Sequence, residues 1–190
     1  MKSKNKIAFF NFLSNILLRG ISIFTAPVFS RLLGTSGYGV LSVYNIWVRV
    51  GAIAVPLQTH GTLANARLEY PEEDQAKYQS SIMSLSLLCF LVVGAVMMIF
   101  GGGVASAMRL PVILLPVMLA HAFGSFVTGF MGNKFTYEFK AGKNFALSAG
   151  TTLASVAVSL ALVLSFPQES RYMGRILGNG IVYGVLGIVF

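Results

Sequence analysis

The chain has 190 residues, of which 55% are hydrophobic and only 11% are charged, and its mean hydropathy is +0.75. Soluble domains carry about 25% charged residues, so this composition excludes an ordinary soluble protein and indicates an integral membrane protein. The net charge of +8 does not indicate nucleic-acid binding, because the basic residues are spread over short connectors and form no cluster interleaved with aromatic residues. The single cysteine, Cys89, cannot form a disulfide within the chain.

Six apolar segments follow one another along the chain. A helix that crosses about 30 Å of hydrocarbon needs about 20 mainly apolar residues, and helices are expected because an isolated strand would leave its backbone groups unpaired in the membrane. We therefore predict an all-α integral membrane protein, a six-transmembrane-helix bundle with spans at approximately 7–30, 37–59, 80–101, 111–131, 146–166 and 175–190. The sixth segment has no polar exit, so we expect the sequence to be part of a longer protein.

Glycine and proline mark the predicted connectors. Gly34 follows the first span, a turn is expected at the triple glycine 101–103, and Pro167 follows the fifth span. Pro27 and Pro56 lie late in the first two spans, where each would either kink its helix or mark the helix end. No low-complexity linker divides the chain, so residues 1–190 are expected to form a single bundle.

Lysine and arginine residues predict the orientation. With the N-terminus in the cytoplasm, that side would carry Lys2, Lys4, Lys6, Arg67, Lys77, Lys134, Lys140 and Lys143, and the other side would carry Arg31, Arg109, Arg171 and Arg175. This distribution favours a multi-pass protein with a cytoplasmic N-terminus. The alternative of a cleaved signal peptide is disfavoured, because the apolar pattern continues beyond Arg19 and several more spans follow.

An arginine lies deep in the first predicted span. Arg19 is twelve residues beyond Ile7, which places it about 18 Å into the membrane at a rise of about 1.5 Å per residue. Asn11 and Asn15 precede it by eight and four residues, and Ser22 follows it by three, so these polar residues share one helix face. The rest of the span is mainly apolar.

The second span repeats this polar arrangement. Arg49 follows Asn45 by four residues, and Ser42 lies three residues before Asn45. A charge at the bilayer centre costs about 2.5 to 3.5 kcal/mol on insertion scales and normally faces the bundle or water, and arginine binds phosphate by parallel hydrogen bonds while it remains protonated. The two stripes favour a hydrated cationic cavity. The alternative is that each arginine snorkels or bonds to backbone carbonyls and binds no ligand.

The acids and the enzymatic motifs limit the function further. The chain has six acids, all in connectors or at span ends: Glu69, Glu72, Glu73, Asp74, Glu138 and Glu169. A transporter of organic cations would need buried acids, so this distribution favours an anionic substrate. A phosphate-binding glycine loop with lysine, an HExxH motif and a Cys/His ligand set are absent from the sequence, so we expect no enzymatic activity, no metal and no cofactor.

Two weaker polar patterns leave alternatives open. The fifth span has a stripe of small hydroxyl residues, which favours close helix packing over a cavity wall: Ser148, Thr152, Ser155 and Ser159. In the fourth span, His121 shares a face with Ser125 and Thr128. His121 could relay protons, but a hydrogen-bonded core residue is favoured because no carboxylate lies near it in the sequence.

Three stretches carry a family resemblance. Residues 10–47, FNFLSNILLRGISIFTAPVFSRLLGTSGYGVLSVYNIW, contain SRLLGTSGYG; HGTLANARLEYPEED begins at residue 60, and GRILG begins at Gly174. The chain thereby resembles bacterial polysaccharide export proteins, the O-antigen and lipid-linked oligosaccharide flippases of the MOP superfamily. The resemblance covers nearly the whole chain, although each motif is short.

The resemblance implies that residues 1–190 are the N-terminal lobe of a MOP/MATE-like two-lobe transporter, with the C-terminal lobe absent. Such proteins flip undecaprenyl-diphosphate-linked oligosaccharide across the bacterial plasma (inner) membrane by alternating access, during O-antigen and lipopolysaccharide biosynthesis. By this resemblance, Arg19 and Arg49 match the cationic cavity residues that related lipid flippases carry in their early helices. We predict that the two arginines hold the diphosphate and that Asn15, Asn45 and Ser42 contact phosphate or sugar.

The expected partners are this anionic diphosphate lipid, the bilayer, and glycan polymerases or glycosyltransferases. Two alternatives stay open, namely a drug/cation antiporter of the same superfamily and a non-transporting membrane partner of the glycan-assembly enzymes. The glycan and the coupling ion are not predicted.

Overall fold

The computed structural model describes the backbone of residues 2–57, 62–63 and 69–190, and the side chains of these residues except Glu72 and most of those before residue 23. The described chain is helical and contains no strand. Its elements are α1 (Lys2–Ala54), α2 (Glu72–Ile99), α3 (Gly101–Met108), α4 (Leu114–Tyr137), α5 (Ala141–Ser165), a short 3₁₀ helix (Gln168–Ser170) and α6 (Arg171–Val189).

Four of these helices are long and apolar enough to cross a membrane, judged by length and composition within the described residues: α2, α4, α5 and α6. They coincide with the last four predicted spans, although α2 begins at Glu72 rather than at residue 80. The predicted all-α membrane bundle is therefore confirmed. The outward sides of α2 agree with a lipid environment, since Leu88, Leu91 and Ile99 are all exposed.

The first two predicted spans both lie in α1, without the connector that was expected between them. The backbone of α1 departs from helical geometry only at Gly34, with φ 66° and ψ 176°, so helical segments 2–33 and 35–54 meet at a kink. This backbone conformation is open essentially to glycine alone. Helix α1 ends at Ala54, not at residue 59, and Pro56 therefore follows its end, whereas Pro27 lies inside the helix.

The triple glycine 101–103 does not form the expected turn. These glycines begin α3, and the turn comes only after this helix, at Arg109, which has a left-handed backbone (φ 56°). The backbone N–H of Leu110 donates to the carbonyl oxygen of Ala105 at 3.0 Å. The reversal is thus made by a helix C-cap with 6→1 hydrogen bonding, which the glycine pattern did not predict.

Helix α6 is central to the bundle, because it packs closely against both α4 and α5 and also contacts α1, whereas α2 packs mainly on α4. Glycines permit this close approach. A Cβ added at Gly178 would lie 2.5 Å from the Cα of Ser159 on α5, and one added at Gly180 would lie 2.5 Å from a methyl carbon of Val117 on α4. Gly174 also lies close to α5, since a Cβ added there would be 2.8 Å from the backbone nitrogen of Val163, so the stretch GRILG is a GxxxG packing face.

Candidate functional site

A polar cavity of about 370 Å³ opens between α1, α4, α5 and α6. Its lining contains two arginines and no acid, and we call it the arginine cavity. The lining residues are Ile21, Thr25, Asn45, Val48, Arg49, His121, Ser125, Thr152, Ser155, Val156, Arg175, Asn179 and Tyr183. The cavity therefore combines fixed positive charge with amide, imidazole and hydroxyl groups.

Two of the predicted binding residues enter this cavity together. Asn45 and Arg49 lie four residues apart on segment 35–54 of α1, so they share a helix face, and both line the cavity. Arg49 is exposed and Asn45 is half-buried. Two residues of the polar stripe of the second span, Asn45 and Arg49, thus face the same cavity.

The other predicted binding residues are not part of the described lining. Ser42 is half-buried, and its hydroxyl donates to the carbonyl oxygen of Tyr38 at 2.9 Å without lining the cavity. The side chains of Asn15 and Arg19 lie outside the described residues. The same helical segment does reach the cavity, through Ile21 and Thr25.

The second arginine of the lining, Arg175, reaches the cavity from α6; its sequence position had indicated only a topology determinant on the non-cytoplasmic side. The guanidinium carbon of Arg175 lies 4.0 Å from the centroid of the Phe29 ring on α1, a cation–π geometry, and its Nη1 donates to the carbonyl oxygen of Ser155 at 3.4 Å. Within the described part of the chain, ion pairs join only Lys77 to Asp74 and Lys140 to Glu138. The charges of Arg49 and Arg175 therefore have no described acid to neutralise them.

The sequence did contain a signal for Arg175. It precedes Asn179 by four residues, the same spacing that joins Asn45 to Arg49, with the order reversed. The signal was missed because Arg175 stands at the start of the predicted sixth span, where an arginine is usually a topology determinant. In the structure α6 already begins at Arg171, which places Arg175 one turn inside the helix.

Asn179 joins α6 to the hydroxyl stripe of α5. Its side-chain oxygen accepts hydrogen bonds from Ser155 Oγ at 2.5 Å and from Ser159 Oγ at 3.3 Å, and all three residues are buried. The packing role that was favoured for the stripe is thus confirmed for these two serines. The stripe also contributes to a cavity wall, which was the alternative interpretation, because Thr152 and Ser155 line the arginine cavity.

His121 is a hydrogen-bonded core residue, as predicted. It is buried, its Nδ1 and the Tyr44 hydroxyl are 3.3 Å apart, and its ring centroid lies 4.7 Å from that of Tyr183. It also reaches the arginine cavity. No group of three or more metal-ligating side chains occurs among the described residues.

Comparison with known proteins identifies the family of this chain. A family model described as "Polysaccharide biosynthesis protein" matches residues 5–190, a range that includes every residue lining the arginine cavity. No curated protein and no solved structure matches the chain.

Proposed function

Because the chain belongs to the polysaccharide biosynthesis protein family, we propose that it flips undecaprenyl-diphosphate-linked oligosaccharide across the bacterial plasma membrane. Family membership supports a role in polysaccharide synthesis or export. The observation that carries the finer proposal is the arginine cavity, in which Arg49 and Arg175 present two cations and no acid takes part.

The diphosphate is the part of this substrate with the highest free-energy cost of transfer into the hydrocarbon core, because its charge would be unpaired there. In our proposal Arg49 and Arg175 donate hydrogen bonds to the diphosphate oxygens, and Asn45 adds a neutral donor. Arg19 and Asn15 are proposed to act from the first segment of α1, and Ser42 to contact phosphate or sugar. The prenyl tail would remain in lipid while the polar headgroup crosses.

The proposed cycle is alternating access with a second lobe, as in transporters built from repeats, with the N-terminus of this lobe in the cytoplasm. A proton relay through His121 stays a hypothesis within this cycle. A cavity without acids is poorly suited to the alternative substrate class, organic cations, which argues against a drug/cation antiporter.

The proposal is tested in cells that lack the native protein and depend on a plasmid copy for surface polysaccharide. Arg49→Gln and Arg175→Gln should each abolish or strongly reduce export, while protein abundance in the membrane stays normal. Arg109→Gln is the matched control, because Arg109 is an exposed helix-capping residue outside the cavity. Normal export by both cavity variants at normal abundance would refute the proposal.

A further inference from the structure

A second cavity, of about 320 Å³, adjoins the arginine cavity and is lined by α4, α5 and one residue of α6. The two share Ser125, Thr152 and Tyr183, so they meet along these side chains. We call the second one the hydroxyl cavity, because six hydroxyl residues and no charged residue line it: Ser125, Thr128, Ser148, Thr151, Thr152 and Tyr183. A charged compartment and an uncharged polar compartment therefore lie side by side.

Two of these hydroxyls donate hydrogen bonds to their own helices, and this determines whether they can donate to a ligand or accept from it. Thr128 Oγ1 donates to the carbonyl oxygens of Gly124 and Ser125 at 2.9 and 3.0 Å, and Thr152 Oγ1 donates to that of Ser148 at 2.8 Å. A hydroxyl has a single hydrogen and two acceptor lone pairs, so a threonine that donates to its own helix retains acceptor capacity. Such a wall suits an uncharged ligand rich in O–H donors.

The hydroxyl cavity extends toward one end of the helix bundle. It extends from Ser125 to Thr128 along α4 and from Thr152 back to Ser148 along α5. Both directions lead toward residues 138–140, which connect these helices. By the lysine distribution this is the predicted cytoplasmic end, the side on which a lipid-linked glycan would be assembled and loaded.

We propose that the hydroxyl cavity binds the uncharged sugar next to the diphosphate, while the arginine cavity holds the diphosphate itself. This inference rests on the proposed function and adds a selectivity to it. Sugar hydroxyls donate to the threonine and serine oxygens, and the absence of a cation in this compartment disfavours a charged sugar at the same position.

The test measures binding by the purified full-length protein in lipid nanodiscs. The two probes are undecaprenyl diphosphate and undecaprenyl-diphospho-N-acetylglucosamine, each titrated calorimetrically. The variant Thr128→Val/Thr151→Val removes two hydroxyls that line only the hydroxyl cavity, and Thr128→Ser/Thr151→Ser is the control that keeps them. The wild type should bind the sugar-bearing lipid about tenfold more tightly, the size expected for one or two neutral hydrogen bonds.

The valine variant should reduce this ratio to about one without a change in affinity for the bare diphosphate lipid, which also shows that it is folded. The serine variant should keep the tenfold ratio. An unchanged ratio in the valine variant, or equal weakening of both lipids, would overturn the sugar site. If the double variant does not fold, Ser148→Ala alone should lower the ratio about threefold, and an unchanged ratio there would overturn the site equally.

If the proposed function is wrong, the binding of the two lipids by an arginine variant gives a different result. Arg49→Gln should weaken both lipids together, since it acts on their shared diphosphate. Undiminished binding of both lipids by Arg49→Gln would contradict the diphosphate role of the arginine cavity, whatever the threonine variants do.

Discussion

Arg175 of α6 stacks on Phe29 of α1, with 4.0 Å between the guanidinium carbon and the ring centroid. Phe29 is itself buried, so a cation of one helix is held at a fixed place against another. Since Arg175 also donates to the backbone of α5, it joins three walls of the arginine cavity. In the proposed binding role, a side chain that is held in this way loses little conformational freedom when the ligand arrives.

We predict that Phe29→Leu weakens diphosphate binding without removing it. The substitution keeps an apolar side chain but removes the ring, and a cation–π contact is worth about 0.5 to 2 kcal/mol, which corresponds to a loss of about 2- to 30-fold in affinity. Calorimetric titration with undecaprenyl diphosphate measures it. Phe24→Leu is the control, because Phe24 is 77% exposed, and a loss of equal size in both variants would argue against the stacked arginine.

Gly34→Ala should destabilise the protein by about 1 to 3 kcal/mol, because φ 66° with ψ 176° is a conformation that L-residues with a Cβ rarely adopt. The space around Gly34 is open, so the effect is one of backbone strain and not of steric overlap. Chemical unfolding in detergent measures it. Gly39→Ala is the matched control, since Gly39 also has open space but lies in regular helix, where alanine is favoured; equal stability of the two variants would contradict the kink.

The hydrogen bond between Ser155 and Asn179 should appear as a coupling energy of about 0.6 kcal/mol and at most about 1.7 kcal/mol, the average and the maximum found for polar contacts between membrane helices. The measurement is a double-mutant cycle with Ser155→Ala and Asn179→Ala, followed by unfolding in bicelles. Ser165→Ala replaces Ser155→Ala in a control cycle, because the Ser165 hydroxyl bonds within its own helix, to Ala161. Additive effects in the test cycle would show that the contact does not join α5 to α6.

The pH dependence of the α4–α5 connection follows from Glu138. The Lys140 ammonium donates to its carboxylate at 2.6 Å, and this hydrogen bond, aided by the charges of Lys140, Lys134 and Lys143, lowers the pKa of Glu138. A lowered pKa contributes stability that is present above the ordinary pKa of a glutamate and is lost as the pH falls through the lower, folded-state value.

Glu138→Gln should therefore reduce stability at pH 7 by at most about 1 kcal/mol, the size of a solvent-accessible ion pair, and the difference should vanish in strong acid. Unfolding of both proteins between neutral pH and pH 3 measures it. Glu169→Gln serves as control, because Glu169 is exposed and lies in a short connector. A difference that grows as the pH falls would show that the pKa is shifted in the opposite direction.

The amino-acid sequence by itself determined the membrane class, the helical architecture and the face on which Asn45 and Arg49 lie. These follow from local physics, since a long apolar segment must satisfy its backbone internally, and a four-residue spacing places two side chains together on any helix. The hydrogen-bonded core position of His121 was also predicted from the sequence, because no carboxylate lies near it there to support a proton relay.

The tertiary structure alone decided which polar residues converge. Arg175 of α6 lines the same cavity as Arg49 of α1 although the two are far apart in the sequence, and Ser42 lies outside the lining although it belongs to the predicted stripe. The departure of α1 from helical geometry at one residue, Gly34, likewise depends on a backbone conformation that spacing does not reveal. Periodicity determines which side chains share a helix face, whereas the packing of one helix on another determines what that face meets.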